Sequence, residues 1–243
     1  MFGKKQLPKQ WLMPDGDTYK VYLDMLEQPN IYFLGHQTVD RDLVRDGFMY
    51  TALSQPPSIM TFYLLDLCGL YMNIYRQLPH TIAYTNSEEE GLSILEDVQL
   101  KTIERLDILR ENRKKFLPTV WVVIDGYESL HFPYRKKAEK ILSSILYRSR
   151  AANVHLALFT PYIKPSGGID ELFSSFGLFS STDITNAKLR RIVGNKATNA
   201  PKEFIYKNIQ GFCESVSIPE IKDDAIRDRV QWWVNQCGKK GRK

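Results

Sequence analysis

Residues 35–42, Gly-His-Gln-Thr-Val-Asp-Arg-Asp, follow the short apolar run Asn-Ile-Tyr-Phe-Leu at 30–34 and precede a helix-like stretch. A phosphate-binding loop belongs at such a strand-to-helix junction. Its working form is GxxxxGK[ST], with glycine for close backbone approach, lysine for the β- and γ-phosphates and a hydroxyl for magnesium. Gly35 suits the first position. Counting on, Asp40 stands at the second glycine, Arg41 at the lysine and Asp42 at the hydroxyl. Two carboxylates there set negative charge where phosphate oxygens would lie, yet the same residue type near a helix N-terminus makes a good cap. The expectation is an ordinary helix start with an exposed Arg41 whose removal leaves folding nearly intact.

A second chemical position lies at the end of "TVWVVIDG", residues 119–126. In phosphate-transferring enzymes the final aspartate of such a strand supports magnesium, and an adjacent glutamate activates the attacking water. Asp125 meets the first need, but Gly126 is no base and Glu128 is two residues out of place. Without the lysine, the hydroxyl and the carboxylate, phosphoryl transfer lacks its positioning and electrostatic parts. Binding of ATP and magnesium is expected to be weak or absent, and no catalytic residue is assigned.

These positions need elements to hold them. "NIYFLG" reads as strand, "DLVRDGFMYTALSQ" as helix, and "SIMTFYLLDL" as a buried strand after the breaker "QPP". A long helix follows from Asn86 or Ser87, with acidic residues in its first turn and an apolar face at 92, 95, 103, 106 and 109. "TVWVVID" is apolar up to its aspartate, as a central parallel strand buried on both faces must be. "AEKILSSILYRSRAAN" reads as helix and "VHLALFTP" as strand. "SSFGLFSS" gives a further short strand, and "GFCESVSIP" closes the sheet. The C-terminal stripe Ile226, Val230, Trp233, Val234 and Cys237 defines one helical face, with Trp232 off its centre. Strands separated by helices predict one α/β domain with a central, mainly parallel sheet flanked by helices.

At 243 residues and 43% hydrophobic content the chain can build one sizeable core. The whole of 1–243 is expected to be a single domain with basic tails at 1–10 and 238–243. The tails matter for charge. The net of +5 comes from lysines and arginines at the two ends, and the body between them is slightly acidic. Such a body is a poor footprint for nucleic acid, which is not expected as a partner. Cys68, Cys213 and Cys237, and His36, His80, His131 and His155, show no metal-ligand spacing, so no metal or disulfide framework is expected. No apolar run approaches the roughly 20 residues of a membrane span.

Four segments in order, "FYLLDLCGLYMNIYRQLPHTIAYTNSEEE", "VWVVIDGYESL", "NVHLALFTPYI" and "RRIVGNKATNAPKEFIYKNIQGFCESVSIP", resemble the FtsK/SpoIIIE-type ATPases. They look most like the third, C-terminal ATPase-like domain of EssC-type coupling proteins of type VIIb secretion. The resemblance spans roughly residues 20 to 220 and implies a RecA-like P-loop NTPase fold with a degenerate nucleotide site. Gly35, Asp40, Arg41, Asp42, Asp125 and Gly126 would mark that vestigial site. It further implies a cytoplasmic domain of a bacterial cell-membrane protein, anchored only through an N-terminal part outside this sequence. Its partners would be preceding ATPase domains of the same chain and secreted helical substrates of the WXG100 or LXG type.

The leading expectation is therefore a pseudo-ATPase domain acting in substrate recognition and regulation of export. An active FtsK-like motor or DNA translocase is the alternative. A third reading is a structural domain regulating the preceding motor, with Arg148, Arg150, Arg190 or Arg191 as an arginine finger. The loop 162–179, with Phe173, Phe176, Leu178 and Phe179, is expected to edge a groove for a substrate helix, and Trp232 to contact a partner.

Overall fold

The computed structural model describes residues 30–34, 38–69, 71–160, 177–181, 203–208, 210–211, 213–217 and 220–240. Eight strands form one sheet: β1 (Ile31–Leu34), β2 (Met60–Asp66), β3 (Thr81–Thr85), β4 (Thr119–Asp125), β5 (Val154–Thr160), β6 (Gly177–Ser181), β7 (Glu203–Lys207) and β8 (Cys213–Ser217). Their spatial order is β3-β2-β4-β5-β1-β6-β7-β8. β3 through β6 pair in parallel, whereas β7 and β8 add as an antiparallel meander. The sheet is mainly parallel, as the alternation of strands and helices predicts.

Among the described residues four α-helices cover it: α1 (Thr38–Ala52), α2 (Glu88–Glu111), α3 (Phe132–Ala152) and α4 (Asp223–Lys240). α1 and α4 bury Val44, Phe48, Met49, Ile226 and Val230 on one face, around Trp121 and Phe159 of the central strands. α2 and α3 bury Leu95, Val98, Ile141, Leu142 and Ile145 on the other, against Val122, Ile124 and Leu156. β4 and β5 are buried at every residue because both faces are covered.

Local chemistry sets the ends of α2 and α3. The Ser87 hydroxyl accepts from Glu90 N at 3.4 Å, and Glu88, Glu89 and Glu90 complement the positive helix end. α3 closes on Asn153 in the left-handed region, φ 55°, where asparagine is tolerated. The buried face of α2 differs from the expected one. It runs through Gly91, Leu95, Val98 and Thr102, and Ile103 is 41% exposed. A Cβ on Gly91 would lie 3.5 Å from Leu65 and Leu67, so small residues let this helix sit close to the sheet.

α4 follows its expected stripe. Trp233 donates from Nε1 to Leu53 O at 2.8 Å and stands edge-on to His80, with ring centroids 4.8 Å apart. Trp232 is 50% exposed. His80 is fully buried, with Nε2 2.8 Å from Gln55 O; Nδ1 has no hydrogen-bond partner among the described residues. Burial lowers its pKa, against the opposing effect of the Gln55 carbonyl. The unfolded chain thus takes up a proton near pH 6.5 that the folded chain resists. Stability from this residue is complete above that pH and is lost as pH falls through it. Melting temperature should drop between pH 7.5 and 5.5, and His80→Gln should flatten that dependence; an unchanged slope would refute the assignment.

Candidate functional site

Neighbouring strands β2 and β4 end in register on Asp66 and Asp125, both fully buried. α1 crosses this edge and presents Arg41, Asp42, Arg45 and Asp46 from two successive turns. Arg45 Nη1 donates to Asp125 Oδ2 at 2.8 Å and to Asp42 Oδ1 at 2.9 Å, while its Nε reaches Asp46 Oδ1 at 3.1 Å. Arg41 Nε lies 3.3 Å from Asp125 Oδ1, and its Nη1 lies 3.8 Å from Glu128 Oε1. Each oxygen of Asp125 therefore faces a guanidinium. Both guanidiniums also lie over the Tyr71 ring, at 5.5 Å for Arg41 and 4.9 Å for Arg45.

Asp66 shapes the floor of the site with no ion pair among the described residues. Its carboxylate accepts from the backbone N–H groups of Gly69, Tyr71 and Met72, at 3.1, 3.1 and 2.9 Å. The Tyr84 hydroxyl donates to it at 3.3 Å. These bonds fix the turn that carries Tyr71 and Cys68. Arg41 Nη1 in turn donates to Cys68 Sγ at 3.5 Å.

Among the described residues, four carboxylates, Asp42, Asp46, Asp125 and Glu128, meet two guanidiniums, an excess of negative charge. Burial pushes the Asp125, Glu128 and Asp42 carboxyls above the usual range, against the pull of the arginines. Burial works against the Arg45 charge, but Asp46, Asp125 and Asp42 outweigh it and hold its pKa above the ordinary value. The arginines are locked in the charged state, with more carboxylates around them than they can neutralise.

Gly126 adds a steric restriction. Its φ is 81°, and a Cβ there would meet Cys68 Sγ at 2.3 Å and Cys68 N at 2.9 Å. The glycine is required both by the left-handed backbone and by the close approach of the β2 loop. A glutamate does not fit at the position next to Asp125. Glu128 lies in the next turn and leans back to Arg41, with a further hydrogen bond from Thr160.

The structure brings Arg41, Asp42 and Asp125 together as the motif spacing predicts, but it corrects two expectations. Arg41 is 5% exposed and belongs to a buried ion cluster, so its removal cannot be neutral. Asp40 and Asp42 are the third and fifth residues of α1, inside the helix instead of at its cap. Gly35 lies outside the described residues, as do Phe173, Phe176, Arg190 and Arg191. Leu178 and Phe179 belong with Gly177 to β6, an interior strand between β1 and β7, while residues 162–176 of the expected 162–179 groove lie outside the described residues. Arg148 donates to Ser144 O and Oγ of its own helix, at 2.9 and 3.0 Å, and Arg150 is exposed. Sequence reasoning missed Arg45, Asp46, Asp66, Cys68 and Tyr71. The i, i+4 spacing of Arg41 and Arg45 and the matching strand ends "LLD" and "VID" were the available signals.

A parallel sheet in this strand order, helices on both faces and a charged cluster at the strand C-termini define the α/β P-loop ATPase fold. Solved structures agree. The cytoplasmic domain of the type VII secretion ATPase EccC from Thermomonospora curvata matches with TM-score 0.72 and 16% identity, over 96% of this chain and 32% of its own. The ATPases 2 and 3 of that protein, in complex with a signal sequence peptide, match with TM-score 0.66 and 14% identity, over 88% and 41%. The pCW3 conjugation coupling protein TcpA, with ATPγS, gives 0.72 and 15% over 93% and 75%. EssC (ATPases 2 and 3) from Geobacillus thermodenitrificans gives 0.64 and 14% over 96% and 52%. The chain thus spans about a third of the EccC cytoplasmic domain. Identities this low carry the fold alone. No protein-family model and no curated protein sequence matches the chain.

Proposed function

We propose that this chain is a degenerate ATPase domain of a secretion or conjugation motor, one that binds partners and regulates neighbouring ATPase domains without turning over nucleotide itself. The observation carrying this reading is the occupation of both Asp125 oxygens by Arg41 and Arg45. A magnesium–triphosphate group does not fit such a site. The aspartate that would support magnesium is already neutralised, the cluster has more carboxylates than cations, and no side chain fits at Gly126. Phosphoryl transfer depends almost wholly on positioning and on electrostatic stabilisation, and here both are turned to folding.

The partner class rests on analogy with the similar structures. One EccC structure holds a signal sequence peptide, and the EccC and EssC matches contain several ATPases in one chain. By analogy this domain would recognise helical export substrates of the WXG100 or LXG type and contact adjoining ATPase domains. Among the described residues no helix is long and apolar enough to cross a membrane.

The test combines two assays on the purified chain. ATP turnover with magnesium should stay at the buffer rate, while a labelled helical substrate should give saturable anisotropy. Turnover abolished by Asp125→Asn would reverse the reading, and failure to bind any helical substrate would remove the recognition role.

A further inference from the structure

α2 and α3 both connect parallel strands, so they run side by side in the same direction across one face of the sheet. The ion pair between Lys137 Nζ and Glu96 Oε1, 2.6 Å, sets their relative height. Their charges are opposite. α2 carries eight carboxylates and three cations, whereas α3 carries six cations and one carboxylate, formal charges of −5 and +5.

Little of this charge is cancelled between the two helices. Glu96–Lys137 is the one ion pair between residues of the two helices among the described residues, with Glu88 also meeting His131 just before α3. Lys101 pairs with Asp97, and Arg110 with Asp107, within α2 itself. Arg105 is turned to the backbone oxygens of Ala152 and Pro118. Glu104, Lys136, Lys140 and Arg150 stand exposed. The outer surface therefore has an acidic ridge along α2 and a basic ridge along α3.

Exposed apolar groups stand on both helices. Leu100 is 61% exposed, Ile103 41% and Tyr147 89%. Ile103 is two helical turns from Glu96 and Arg148 three turns from Lys137, so each shares the stripe of a residue that reaches the opposite helix. Tyr147 points away from the buried Ile141, Ile145 and Leu142. Large apolar side chains exposed among charges are the usual mark of a contact surface.

We propose that this α2–α3 surface is a self-association face that takes a second copy of the chain. With a two-fold axis parallel to the helices, α2 of each copy lies over α3 of the other. Each acidic ridge then meets a basic one, and Leu100, Ile103 and Tyr147 are covered. A two-fold axis across the helices would instead set like ridges against each other. The self-complementary charge therefore selects both the partner and its orientation. The proposal is independent of the state of the nucleotide site, which lies at the strand C-termini.

Sedimentation velocity on the full chain, over a range of concentration and salt, tests this. The wild type should dimerise reversibly at low ionic strength and dissociate as salt screens the ridges. Lys140→Glu with Arg148→Glu cuts the formal charge of α3 from +5 to +1, and Glu104→Lys with Asp107→Lys cuts that of α2 from −5 to −1; each variant alone should dimerise about tenfold more weakly. An equimolar mixture of the two should recover the dimer, because each then supplies what the other lacks. Tyr147→Ser, at an exposed position, should weaken the dimer without lowering the melting temperature. A wild type that stays monomeric at every concentration, a dimer indifferent to the reversals, or a mixture that fails to re-form it would overturn the proposal.

Discussion

Arg45→Ala should cost the fold about 3–5 kcal/mol, the loss expected when one partner of a buried charge cluster is removed. The Arg45 side chain is 3% exposed and faces Asp42, Asp46 and Asp125 together. Without it, three carboxylates stay close to one another with only Arg41 opposed to them, and the fully buried Asp125 loses its 2.8 Å hydrogen bond. Arg41→Ala should cost less, about 2 kcal/mol, because its 3.3 Å approach to Asp125 lacks hydrogen-bond geometry and its contact with Glu128 is 3.8 Å. Arg45→Lys should recover only part of the loss, since an ammonium cannot span three carboxylates as a planar guanidinium does. Urea unfolding decides the matter: midpoints for Arg45→Ala and wild type that coincide would show the cluster to be solvated and dispensable.

Gly126→Glu supplies the side chain that a hydrolysing site would carry beside its strand aspartate, and it should destabilise by about 3 kcal/mol or more. The left-handed backbone alone costs a non-glycine residue about 1–2 kcal/mol, and steric overpacking adds about 1–3 kcal/mol. The clash is with Cys68 backbone nitrogen at 2.9 Å as well as with its sulfur, so a rotamer change at Cys68 cannot relieve it. Gly126→Ala should show most of the same loss, which separates the backbone effect from the added charge. Any variant that folds should still fail to release phosphate from ATP, because Asp125 keeps both arginines. A Gly126→Ala protein as stable as wild type would remove the steric restriction from the site.

The parts of this fold legible in the sequence are those whose signal is local. "TVWVVID" and "VHLALFT" announce buried strands because both faces are covered, and the α4 stripe from Ile226 to Val234 is regular enough to give its packed face. β3 was not legible. Its residues are mostly half-buried, with Ile82 49% exposed, because it forms the sheet edge. β7, just after Pro201, was not legible either, since antiparallel pairing with β6 and β8 is a long-range property. At the site, counting from Gly35 found Arg41, Asp42 and Asp125. It could not find that Arg45 takes the second Asp125 oxygen, nor that Cys68 crowds Gly126, since both depend on strands and helices distant in sequence. The error over Arg41 has the same origin: a motif read as a surface loop said nothing of Tyr71 and Glu128 closing over it.

Isothermal calorimetry of the chain with ATP and magnesium bears most directly on the claim that arginines have replaced the nucleotide site. The expected trace shows no saturable heat, because Asp42, Asp46, Asp125 and Glu128 outnumber Arg41 and Arg45 and a triphosphate would have to displace the guanidiniums from a buried carboxylate. Saturable binding with a dissociation constant in the low micromolar range, abolished by Arg41→Ala, would contradict it and make that arginine a phosphate ligand.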